Sequence, residues 1–185
     1  MMDALAAGVA VLERSISYAL GSVALVTPPL LIRPTPCPRW DLRDLLHHFN
    51  DSMAALQEAA ECGEVELTPP PDGDAVIEET RDRAVRLLGA WTNGPCASTV
   101  RVAAAPVTAP VIAGAGALEI TVHGWDVAQA CGSPRPIPED LADELLDLAV
   151  LLIRPGDRPG RFGRPLAVAP DAPAAGRLLA FLGRP

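Results

Sequence analysis

Apolar residues recur at helical spacing in six stretches of this chain, separated by segments in which prolines, glycines or charges break the pattern. Leu5, Val9, Leu12, Ile16, Ala19 and Val23 predict a first amphipathic helix over Asp3–Leu25. The stretch TPPLLIRPTPCPRW (Thr27–Trp40) excludes helix, because its five prolines remove backbone donors and pin φ. Asp41 is a natural N-cap, with Asp44 favourable in the first turn, for a second helix running to about Glu61. A proline-rich loop is expected over Gly63–Gly73 and a third helix from Asp74 to about Trp91. Residues Asn93–Pro110 read as extended or irregular, with a short strand at Thr99–Ala103. A fourth helix over Val111–Cys131 stops at Gly132. Ile137–Ile153 forms a fifth, with acids in its first turns, and Arg154–Arg164 is a loop. A short last helix is expected over Pro173–Leu182. No repeat or composition break marks a boundary. The reading is all-α: one helical-bundle domain over residues 1–185, with long proline-rich connections.

Composition narrows this picture. Aromatics make up 4% of the chain and hydrophobic residues 49%, so the core is Leu, Val and Ala, which suits close helix packing. A net charge of −8 argues against a nucleic-acid partner, since phosphate binding requires a basic surface. The four cysteines, Cys37, Cys62, Cys96 and Cys131, lie far apart with no CxxC, which is neither a zinc-finger framework nor a secreted disulfide scaffold. Asp3 stands where a signal peptide would be basic, and Glu13 and Arg14 break the first apolar run. No stretch of 18 uncharged apolar residues marks a membrane span. The expectation is a soluble, cytoplasmic protein with reduced thiols.

Candidate chemistry lies with three histidines, His47, His48 and His123. In the second helix, Leu42, Leu45, Leu46, Phe49, Met53 and Leu56 form the buried stripe. At about 100° per residue His47 projects opposite that stripe and faces solvent. His48 flanks it in line with Asp44, Ser52, Ala55 and Ala59, small or polar residues that let a neighbouring helix approach. In the fourth helix, Glu119 and His123 sit four residues apart on one face with Ile112, Ala115, Gly116, Asp126 and Ala130. Beside that face Val111, Leu118, Val122 and Trp125 make an apolar stripe, which puts the pair at a core margin. The spacing alone leaves two readings open, a solvated i,i+4 pair or two legs of a metal site. With His48 the set becomes two imidazoles and a carboxylate, the three-ligand pattern of catalytic zinc sites. Asp126, one turn beyond His123, is a candidate partner for that imidazole or an ordinary helix-surface carboxylate. Trp40 and Trp125 read as packing residues, and Cys37 as a structural or incidental thiol ahead of one that lines the pocket.

The segment TPCPRWDLRDLLHHF, followed much later by LEITVHGWDVAQACG, resembles the metal-binding domain of mycothiol-dependent maleylpyruvate isomerases in the DinB-like superfamily. The tail FGRPLAVAPDAPAAGRLLAFLGRP is similar to the ending of short actinobacterial members. The resemblance spans nearly the whole chain. It implies a DinB-like four-helix bundle with a long crossover between helices and short extra C-terminal helices. It also implies metal ligation by the histidine eight residues after the Trp of the CPxW segment, here His48, and by the Glu-xxx-His of the HGWD motif, here Glu119 and His123. The helical wheel and the resemblance single out the same histidine. Members that isomerise maleylpyruvate carry a further C-terminal domain that contributes to the active site, where this chain has one short helix. The expectation is therefore the broader theme: transfer, isomerisation or hydrolysis of a small electrophile, using mycothiol or another small thiol, at a bundle-bound divalent metal. Zinc is the first choice, with nickel or another divalent ion next. The expected partners are a small substrate and a thiol, without nucleic acid or membrane; a homodimer is compatible with this. The rival reading is a non-enzymatic bundle whose metal is structural or whose acidic helices bind a partner.

Overall fold

A computed structural model describes residues 2–65, 75–94, 97–103, 105–158, 161–169 and 171–185. The expected tip of the 63–73 loop, Asp74 and Cys96 lie outside the described residues. The chain divides into two compact units, Met1–Arg135 and Pro136–Pro185.

The first unit contains α1 (Met2–Val23), α2 (Leu42–Cys62), α3 (Val76–Thr92) and α4 (Ala109–Ala130). Each helix packs on two others: α1 on α4 and α3, and α2 on α3 and α4. This closes a ring in which α1 and α2, and likewise α3 and α4, stand diagonally. Two connections must therefore cross the bundle, residues 24–41 and 93–108. This is the all-α, DinB-like architecture with long crossovers expected from the sequence.

Three short strands accompany the second crossover. β2 (Thr99–Val102) pairs antiparallel with β3 (Ala105–Thr108), and β1 (Glu64–Val65) joins β2 in parallel. β2 matches the expected strand, β3 falls in the segment read as extended or irregular, and β1 corrects the expected loop at its first residues. A single helical turn at Pro28–Leu30 corrects the helix-free reading of the first crossover. Its prolines sit at the first helical positions, where the missing N–H costs nothing.

Helix ends follow their local chemistry. Asp41 caps α2 by accepting from the Asp44 amide at 2.9 Å, while the Asp44 carboxylate accepts from the Asp41 amide at 3.2 Å. Two of the helix's unpaired donors are thereby satisfied. Gly132, at φ +70°, closes α4, where its amide and that of Ser133 bond back to Gln129 and Ala128.

α4 is the most buried of the helices. From Gly116 to Ala128 every residue except Glu119 is buried, so His123 lies in the core and Glu119, one third exposed, at its margin. A helix apolar all round belongs in a core. Two glycines permit the approach: a Cβ on Gly124 would lie 3.0 Å from Cα of Ala19 in α1, and one on Gly116 would meet Leu56 of α2. α1 is long and apolar enough over Ala4–Val23 to cross a membrane by length and composition, a test that core helices also pass. Here Val11, Leu12, Ser15, Ile16, Ala19 and Val23 are buried, and α1 packs on α4.

These contacts give two glycines opposite expectations. Gly124→Ala must push against the α1 backbone and should destabilise the protein by about 1–3 kcal/mol. That exceeds the gain of about 1 kcal/mol in helix propensity. Gly89 in α3 has nothing within 4 Å of an added Cβ, so Gly89→Ala should stabilise by about 0.5–1 kcal/mol. Urea denaturation midpoints should move in opposite directions; a stable Gly124→Ala would mean that α1 and α4 are not in contact there.

The second unit comprises α5 (Glu139–Leu152), a single turn at Pro155–Asp157 and α6 (Ala174–Phe181). α5 packs on α6, and Arg177 pairs with Asp143 at 3.0 Å. Arg158 lies over the Phe181 ring and donates to the carbonyls of Gly163 and Phe181. The expected fifth and last helices are present with ends trimmed by one or two residues.

Candidate metal centre

The donors of the candidate centre come from two neighbouring helices. His48 lies two turns into α2, and Glu119 and His123 lie on α4 where it faces α2. Oε1 of Glu119 is 2.9 Å from Nε2 of His48 and 3.1 Å from Nε2 of His123. Ser52, one turn beyond His48, donates its hydroxyl to the same oxygen at 3.1 Å. One carboxylate oxygen is thus the meeting point of two imidazoles and a hydroxyl. One donor atom from each of His48, Glu119 and His123 falls within a 4.8 Å cluster.

Exposure is graded across the group. The His48 and Glu119 side chains are 38% and 33% exposed, whereas His123 is 9% exposed. The site is therefore anchored in the core and open on the His48–Glu119 side. Trp40 covers part of His48, its ring centroid 4.8 Å away, and Phe49 stands 6.3 Å from His123. Trp40 and Cys37 also pack against the core cluster around Leu42, Leu45 and Val127.

On the far side of His123, Nδ1 lies 3.1 Å from Oδ2 of Asp126, which is fully buried. The same oxygen accepts from the Cys37 thiol at 3.4 Å. Asp126 is thus no surface carboxylate. It holds the imidazole by Nδ1 and leaves Nε2 directed at Glu119, the arrangement that orients ligating histidines.

Charges in the group are coupled. Burial alone would push the Glu119 carboxyl up, but the His123 charge and the bonds from His123 and His48 hold it well below the usual range. Burial alone would push His123 down, but the Glu119 charge and the bonds to Asp126, Cys37 and Glu119 hold it well above the usual histidine range. Without metal, the pair is carboxylate and imidazolium.

The donor set fits a divalent ion. Ligands of a tetrahedral ion bound at about 2.0–2.1 Å stand about 3.3 Å apart, so the observed spacings need to open by only a few tenths of an ångström. Imidazole and carboxylate suit borderline ions such as zinc.

His47 departs from its expected orientation. It is half-buried with Nδ1 shielded from solvent, not solvent-facing. The roles of Ser52 and Cys37 were not apparent from spacing. Ser52 shares the wheel line of His48, which is a signal for it. Cys37 arrives through a turn whose shape no periodicity encodes. Among the described residues, Cys37, Cys62 and Cys131 are not disulfide-bonded.

Residues 12–128 match the family model described as the mycothiol maleylpyruvate isomerase N-terminal domain. All three donors lie inside the matched region. The chain is also 29% identical over 155 residues to uncharacterized proteins MT0763 and Rv0738 from two Mycobacterium tuberculosis strains. Each alignment covers 82% of this chain and 83% of the relative. No solved structure matches.

Proposed function

Because the chain belongs to the mycothiol maleylpyruvate isomerase N-terminal domain family, we propose that it is a divalent-metal enzyme using a low-molecular-weight thiol. Mycothiol is the thiol the family suggests, and the reaction is transfer, isomerisation or hydrolysis of a small electrophile in the cytoplasm. His48, Glu119 and His123 hold the metal, with zinc the best match to the donors and nickel the next.

One observation carries this reading: two imidazole Nε2 atoms from different helices converge on a single Glu119 oxygen, beside partly exposed side chains. Three protein ligands with an open side is the pattern of catalytic rather than structural zinc, which favours an enzyme over a closed structural site. When bound, the ion would lower the pKa of a coordinated water or thiol and so supply a nucleophile at neutral pH. The residues around it have separate tasks. Asp126 accepts from Nδ1 of His123 and fixes the tautomer in which Nε2 is the ligand. Ser52 donates to Glu119 and restrains the carboxylate's rotation. Trp40 shields one side of His48 and leaves the opening toward Glu119 for substrate.

The test is elemental analysis of purified protein, followed by turnover of candidate electrophiles with and without thiol. Bound divalent metal and a turnover requiring both metal and thiol are expected. Turnover that persists after chelation, or metal-loaded protein indifferent to every thiol, would overturn the proposal.

A further inference from the structure

The His123 imidazole has two edges, and the donor set above uses only Nε2. At the other edge, Nδ1 and the Cys37 sulfur lie 3.1 Å and 3.4 Å from one oxygen, Oδ2 of Asp126. Donor atoms of Cys37, His123 and Asp126 form a second cluster within 4.8 Å. A tetrahedral ion with bonds of about 2.3 Å to sulfur and about 2.0 Å to nitrogen or oxygen places such ligands about 3.3–3.5 Å apart. The two distances to Oδ2 of Asp126 lie within about 0.2 Å of these values.

The three donors also differ in kind from the first set. A thiolate selects thiophilic cations that two imidazoles and a carboxylate do not favour. Asp126 is fully buried, and a buried carboxylate is best balanced by positive charge with its lone pairs engaged. Cys37 is half-buried, so a cation can enter from its side. Its position is set firmly. The Thr35 hydroxyl accepts from the Cys37 amide at 3.1 Å and reaches the Trp40 carbonyl at 3.0 Å. The turn between them closes through the Trp40 amide on the Cys37 carbonyl at 3.2 Å.

We propose that Cys37, Nδ1 of His123 and Asp126 form an inner subsite for a thiophilic cation such as Cd2+ or Cu+, distinct from the His48–Glu119–His123 set. Entry of the cation displaces the Cys37 thiol proton and the Nδ1 proton to solvent. The Nε2 proton stays on the imidazole and is donated to Glu119. A neutral imidazole has one free lone pair, so His123 serves one subsite at a time. The two are mutually exclusive, and a thiophilic cation expels the outer ion.

The experiment is titration of the full, reduced, metal-free chain with Cd2+, following sulfur-to-cadmium charge-transfer absorption. The band should saturate at one equivalent and persist in His48→Ala. Cys37→Ser should lose it, with Cd2+ affinity falling at least about tenfold. Zinc loaded beforehand should be released as the band grows. A band that survives Cys37→Ser would assign it to another cysteine, and one lost in His48→Ala would make Cys37 a ligand of the outer ion; either overturns the proposal. Should Cys37→Ser fail to fold, cadmium NMR of the wild-type chain decides, because coupling to the Cys37 β-protons is required. The proposal does not depend on the catalytic reading: absence of zinc binding with Cd2+ held by Cys37 would end only the latter.

Discussion

His48→Ala is expected to leave the purified protein without metal, and His47→Ala to leave metal content nearly unchanged. The two histidines are adjacent on α2, yet one helical step turns a side chain by about 100°. Only His48 comes within 2.9 Å of Glu119. Loss of a partner behind a ligand typically costs roughly 10–100-fold in metal affinity, and loss of one of three ligands should cost more. The helix itself should persist, because α2 is held by Leu42, Leu45, Leu46, Phe49 and Met53, all buried. Metal content after gel filtration and circular dichroism, measured on both variants, decide the matter. Equal metal loss from both would remove His48 from the centre.

Metal occupancy is expected to fall steeply as the solution is acidified. A ligating histidine must be neutral, so protons compete with the ion at His48 and His123. In the metal-free protein Glu119 holds His123 charged well above its ordinary value of 6.5. Loading at neutral pH must therefore expel a proton from His123, and affinity should drop about tenfold per pH unit for each proton expelled. At least the His123 proton is expelled per ion, so occupancy should keep falling as the pH drops below neutrality.

The same pair predicts how the metal-free protein behaves. The raised His123 value contributes stability that is full below 6.5 and lost as pH rises through the folded value. The lowered Glu119 value contributes stability that is full above 4.5 and lost as pH falls through the folded value. Both are complete only between about 4.5 and 6.5, where the metal is leaving. Helix content should thus survive metal loss, since the Leu and Val core does not need an ion. Circular dichroism and bound metal followed together from about pH 4.5 to 8 test this. Helix content collapsing in step with the metal would make the ion structural.

How far the sequence revealed this molecule depends on which forces are local. The start of α2 was legible because Asp41 and Asp44 cap it within one turn, and His48 followed from the phase of a clearly amphipathic helix. α4 was legible as a helix but not in orientation. With nearly every position apolar or small, no face stands out, and Asp126, which is fully buried, could equally be read as a surface carboxylate. The pairing of β1 with β2 was hidden because two residues at Glu64–Val65 join partners far along the chain. The contact of Cys37 with Asp126 depends on a turn in which Arg39 adopts φ +73°, a conformation that glycine usually fills. Nothing in an arginine announces that.

The capped start of α2 gives the interval between Trp40 and His48 a meaning beyond its length. Cap and imidazole are separated by whole residues of one rigid helix, so the interval acts as an angular setting, like the tooth count of a gear. One residue inserted between Leu42 and His47 would swing the imidazole by about 100° and lift it by about 1.5 Å. The cap would stay as it is, but Phe49, Met53 and Leu56 would turn with the imidazole and fall out of line with Leu42. Seven residues, close to two full turns, would nearly restore the angle while displacing the group by about 10 Å. No change of length in this short stretch restores both coordinates at once. Single-residue insertions and deletions here are therefore lesions that strike the centre and the packing of α2 together.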